Sequence, residues 1–149
     1  MTDPSVRPDL SVPIWFWIVS GILLAWNLMG LAVFGMTMSM IGNSEALKAA
    51  GLSDDAVDLM NSTPAWVNVA FGVAVVFGVI GCIVLLLRKK SAIPVLAVSL
   101  LGVLAQNTYL YFLSNSVEVM GVGLSPIVMV VAIALVPFAM FCAKQGWLK

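Results

Sequence analysis

The chain has 149 residues, 62% of them hydrophobic and 9% charged, with seven Lys and Arg balancing seven Asp and Glu. An average soluble domain carries about 25% charged residues, so this chain has too little charge to cover a water-soluble globule and reads as an integral membrane protein. The absence of histidine excludes His-ligated haem and argues against an ordinary zinc or copper site, and the balanced charge leaves no electrostatic footprint for nucleic acid.

A membrane-spanning helix needs about 20 predominantly apolar residues. Four stretches meet that length, at about 14–41, 65–87, 93–113 and 124–143. They predict an all-α, polytopic protein of a single membrane domain over residues 1–149, a four-transmembrane-helix bundle.

The first stretch is longer than the 7–15-residue apolar core of a signal peptide, and the MTDPSVRPDL before it is not basic, so a retained first helix is expected. It carries Ser20, Asn27, Gly30 and Phe34 on one face. Gly21, Ala25, Leu28, Ala32 and Gly35 recur every three or four residues on another.

Residues 42–64 form the sizeable extracytoplasmic loop between helices 1 and 2. Ser44 is expected to begin a short helix that Gly51 ends. Ser53, followed by Asp54 and Asp55, reads as the N-cap of a second short helix with acids in its first turn. Asp54 and Asp58 share a face but lack the spacing of a calcium loop, and are read as solvated charge. Thr63-Pro64 reads as an N-cap and first helical position for the second span.

The second span carries small residues at Ala74, Gly78 and Cys82, with Gly81 beside them, and ends in the basic turn Arg88-Lys89-Lys90. With Gly21, Ala25, Ala32 and Gly35, the pair Ala74 and Gly78 makes a candidate helix-packing face, since small-xxx-small spacing lets backbones approach closely. That face suits internal packing of the bundle or docking of another membrane helix.

The third span holds a polar group, Gln106, Asn107, Thr108 and Tyr109. Asn27 lies as far beyond Ile14 as Gln106 lies beyond Ile93, which puts both amides about 20 Å from one membrane face. Asn27, Gln106, Asn107, Thr108 and Tyr109 thus form a candidate intramembrane polar cluster. Either Asn27 and Gln106 bond to each other between helices 1 and 3, or the group lines a pocket for an uncharged polyol, sugar or quinone headgroup. In the fourth span, Pro137 is expected to kink the helix or free a carbonyl. Cys82 and Cys142 are expected to be free packing thiols.

Orientation follows from Lys and Arg. An even number of spans puts Arg7, Arg88, Lys89, Lys90, Lys144 and Lys149 on one side and Lys48 alone on the other, so both termini are expected in the cytoplasm of a multi-pass inner-membrane protein. Glu45, Asp54, Asp55, Asp58 and Glu118 fall outside, Asp3 and Asp9 inside. Trp15, Trp17 and Trp147 fit an inner aromatic belt, and Trp66, Tyr109 and Tyr111 an outer one.

No Asp, Glu, Lys or Arg lies within the four spans, which disfavours proton- or sodium-coupled transport and charged-ring ion selectivity. No nucleophile stands beside a recognisable base and there is no glycine-rich phosphate loop, so neither catalysis nor a cofactor is expected.

WNLMG at 26–30, TPAW at 63–66, GVIGCIVLLLRKK at 78–90 and the closing GW at 146–147 resemble small bacterial four-helix membrane proteins commonly labelled sugar transporters. The resemblance runs over most of the chain and implies transport of a neutral solute, with no functional residues to carry over. Two functions are therefore expected of the sequence. One is a non-catalytic accessory or scaffold subunit of a larger membrane complex, with other membrane subunits or a second copy as partner. The other is a small oligomeric uniporter for an uncharged solute such as a sugar.

Overall fold

Each long apolar stretch becomes one helix, because within hydrocarbon every backbone N–H and C=O must be satisfied inside its own segment. In the computed structural model, which describes residues 11–149, the helices are α1 (Ile14–Met40), α2 (Ser44–Ala49), α3 (Asp54–Ser62), α4 (Ala65–Leu86), α5 (Ala92–Thr108), α6 (Ser116–Met120) and α7 (Ser125–Lys144). A π-helical turn over Tyr109–Leu113 prolongs α5. Four helices, α1, α4, α5 with its π turn, and α7, are long and apolar enough to cross a membrane. Arg7, Asp3 and Asp9 lie outside the described residues.

The spans pack in the order α1, α4, α5, α7, with α4 touching both α1 and α5, and α5 touching α7. The α4–α5 seam is the tightest because glycine removes side chains from it. A Cβ on Gly102 would stand 2.7 Å from the Ala70 carbonyl oxygen and 2.8 Å from the Ala74 backbone nitrogen. In the most apolar stretch of α4, 39% of residues are buried, against 6% in α1. α4 is therefore central and α1 peripheral.

One end of the bundle carries Arg88, Lys89, Lys90, Lys144 and Lys149, and is called the basic end. There Phe16, Cys82, Leu85, Leu96, Ala139, Cys142 and Leu148 form the main buried core. An aromatic cluster caps it. Trp15 and Trp147 stand edge to face with centroids 5.3 Å apart, and Phe16 stacks on Phe138 at 6.4 Å. α1 and α7 meet through these rings. Both cysteines are free and buried.

The segment after α7 folds back onto the basic turn. The Lys149 N–H donates to the Arg88 carbonyl at 2.6 Å, and the Lys90 N–H donates to the Lys149 carbonyl at 2.9 Å. Arg88 adopts the left-handed region at φ 58°, and its Nε donates to the Trp147 carbonyl at 2.8 Å. Its position mirrors a helix-ending motif more often filled by glycine: the Lys89 N–H reaches the Val84 carbonyl and the Arg88 N–H that of Leu85.

At the opposite, acidic end, the short helices follow their caps. Asn43 Oδ1 accepts from the Ala46 N–H and Ser53 Oγ from that of Ala56. Thr63 departs from the expectation. Its hydroxyl donates back to the Leu59 carbonyl at 2.9 Å, so it closes α3, and Pro64 stands as the N-cap of α4. Asp54 and Asp58 are exposed, as expected of solvated charge, and the Asp54 carboxylate pairs with Lys48 Nζ at 2.6 Å. α7 continues as helix through Pro137, whose side chain is exposed.

Candidate intramembrane cavity

Above the basic-end core the four spans enclose a cavity of about 200 Å³. α1 contributes Trp26, Asn27, Met29, Gly30 and Val33, and α4 contributes Phe71, Ala74 and Val75. α5 contributes Ser99, Val103 and Gln106; Leu124 and the α7 residues Val128, Val131, Ala132 and Leu135 close the ring. A second cavity of about 190 Å³ lies towards the acidic end, bounded by Thr37, Asn68, Leu110, Ser116 and others. Phe71 and Gln106 line both, so they stand where the two adjoin.

The floor of the first cavity is a polar junction of three helices. Asn27 Nδ2 donates to the Leu23 carbonyl at 2.8 Å and to Cys82 Sγ of α4 at 3.5 Å. Its Oδ1 lies over Gly78, where any Cβ would overlap it. From α5, Ser99 Oγ comes to the same glycine and donates to the Ala74 carbonyl at 2.5 Å. Gly78 thus admits a side chain from each neighbouring helix at one level.

The structure does not join the predicted polar residues into one cluster. Asn27 and Gln106 line the same cavity without a hydrogen bond between them. Asn27 is level with Ser99, not with Gln106, because the starts of α1 and α5 are staggered. Asn27 lies 13 residues into α1 and Ser99 7 into α5, an offset of roughly 9 Å at 1.5 Å per residue. Counting each helix from its own start therefore misplaced the two amides relative to each other.

Asn107, Thr108 and Tyr109 line neither cavity. Asn107 is buried, with Nδ2 donating to the Val103 carbonyl at 2.8 Å and Oδ1 unpartnered among the described residues. Thr108 is exposed and bonds back to the Leu104 carbonyl. Tyr109 stands edge to face with Trp66, centroids 5.7 Å apart.

The candidate packing face also divides. Ala74 and Gly78 are buried in the bundle, whereas Ala25, Ala32 and Gly35 are exposed. A Cβ on Gly21 or Gly35 would meet nothing within 4 Å. The α1 glycine that approaches α4 is Gly30, next to Val75.

Sequence reasoning missed the α7 wall and Phe71. The spacing of Leu124, Val128, Val131 and Leu135 marks a helix face, but apolar residues facing a cavity and those facing lipid have the same chemistry. Among the described residues no group of Cys, Asp and Glu side chains is placed to hold a metal ion. No family model matches the chain, and neither the curated proteins nor the solved structures yield a match.

Proposed function

We propose that the chain is a non-catalytic membrane subunit that works by helix-to-helix contact, with α1 as the contact element. The observation that carries this reading is the outward strip of Gly21, Ala25, Ala32 and Gly35. It has helix-packing spacing, yet none of the described residues packs on it. α1 is anchored along one side by α4 and leaves this strip to a partner. On this reading the protein sits in a bacterial inner membrane with its basic end, and both termini, in the cytoplasm.

The test is purification in mild detergent followed by native gel electrophoresis and mass spectrometry. A stoichiometric companion is expected, and Ala32→Leu together with Gly35→Leu should release it. A chain that runs as a monomer, or whose companion survives the double substitution, overturns the reading.

The adjoining cavities favour a second reading, an oligomeric uniporter for an uncharged solute such as a sugar. They reach from the acidic-end loops to the polar junction, but the aromatic cluster and the core around Phe16 and Leu135 close the remaining depth. Passage would require that core to part. With no ionisable side chain in the described spans, flux in proteoliposomes should follow the solute's own gradient. Accumulation driven by an imposed pH or sodium difference would contradict this.

A further inference from the structure

We propose that the cavity between α1 and α7 is a lateral binding site for an uncharged single-chain lipid with a hydroxyl- and ester-bearing head, of which a monoacylglycerol is the simplest example. Its residues divide by exposure into a floor and a doorway. Ala74, Ser99, Ala132 and Leu135 are buried, whereas Met29 is 51%, Val33 50%, Leu124 62% and Val128 36% exposed. The doorway lies between α1 and α7, which meet at the basic-end rings and not along their length. Within four membrane-spanning helices, a doorway at this height opens onto hydrocarbon, so the occupant arrives from the bilayer.

The polar groups select the head. No Asp, Glu, Lys or Arg lines either cavity, so a charged headgroup would be left unpaired in a low-dielectric site. Asn27 Nδ2 and Ser99 Oγ are already engaged, with Leu23, Cys82 and the Ala74 carbonyl. Gln106 is different: it lines both cavities, and among the described residues its amide makes no hydrogen bond. A primary amide presents a donor and an acceptor together, and a head carrying hydroxyl and ester carbonyl groups complements both.

Size fixes the arrangement. A cavity of about 150 Å³ accommodates benzene, so the present one, about 200 Å³, takes a glycerol-sized head and a few methylenes. The rest of the chain must leave through the doorway, past Met29 and Val128.

The probe is a monoacylglycerol carrying a diazirine on its chain, added to the full chain in nanodiscs of zwitterionic phospholipid, with adducts mapped by mass spectrometry. An alkane of equal length with the same diazirine is the control. Adducts of the monoacylglycerol should concentrate on Met29, Val33 and Val128 and be suppressed by unlabelled monoacylglycerol. Gln106→Leu should reduce them roughly three- to tenfold, the effect of losing one net hydrogen bond, and leave the alkane's adducts unchanged. Ala132→Phe, which fills the floor, should remove them; if that variant does not fold, Val128→Trp blocks the doorway instead. Adducts spread evenly over the exposed residues of all four spans would overturn the proposal. So would indifference to Gln106→Leu, or suppression by aqueous glucose in place of unlabelled monoacylglycerol, which would point to a free solute.

Discussion

Gly102 has no room for a single methyl group. The atoms a Cβ would meet, the Ala70 carbonyl oxygen at 2.7 Å and the Ala74 nitrogen at 2.8 Å, belong to backbone, which cannot turn aside as a side chain can. Gly102→Ala must push α5 away from α4, and overpacking of this kind costs about 1–3 kcal/mol. Thermal unfolding in detergent should show that loss, while Gly35→Ala, in open space, should leave the midpoint unchanged. The Lys48–Asp54 pair acts at the other extreme of exposure. The hydrogen bond from Lys48, then its charge, holds the Asp54 carboxyl below its ordinary pKa, and the same contacts raise that of Lys48. A depressed carboxylate contributes above its unfolded pKa and loses the contribution as pH falls through the folded one. A raised lysine contributes below its unfolded pKa and loses the contribution as pH rises through the folded one. The pair therefore holds across the neutral range and opens at both extremes. Lys48→Met should move the Asp54 midpoint upward in an NMR titration; an unmoved midpoint would show that the pair does not form in solution.

At the scale of elements, the sequence revealed whatever depends on local chemistry and concealed whatever depends on the relative height of helices. The spans were legible because hydrocarbon permits few alternatives to a helix of that length. The Ser53 cap was legible because a hydroxyl before two acids has a nearby N–H to satisfy. Thr63 was misread because its hydroxyl had two local options, and it took the carbonyl of Leu59 behind it. The stagger of α1 against α5 was illegible, since periodicity assigns a residue to a face but not to a depth. The closing segment was illegible for another reason: Leu148 gives no periodic signal, yet it is 2% exposed in the main core. Leu148→Ala should cost about 2 kcal/mol or more, as truncation of a buried leucine does, and a melting temperature equal to the parent's would place Leu148 outside that core.

For the whole molecule, polarity runs along the bundle axis. Arg88, Lys89, Lys90, Lys144 and Lys149 gather at one end, and Glu45, Asp54, Asp55, Asp58 and Glu118 stand at the other with Lys48. The positive-inside rule predicts a cytoplasmic basic end, the orientation proposed above. A green fluorescent protein fused after Lys149 should fluoresce and an alkaline phosphatase fused there should be inactive; the reverse result would invert the orientation. The seam of α4 against α5 makes one half of the bundle close-packed, and α1 is largely exposed. On the proposed readings, contact with a partner and entry of a lipid would both fall to α1, the first through its small-residue strip and the second through its edge towards α7.

The fold-back of Lys149 onto Arg88 and Lys90 also couples parts of the chain that lie far apart in sequence. Its two backbone hydrogen bonds join segments separated by all of α5, α6 and α7. The same segment brings Leu148 into the basic-end core and the Trp147 carbonyl to the Nε of Arg88, which is held left-handed at φ 58°. It therefore acts as a latch: displacing it would unseat the core and release the Arg88 turn together.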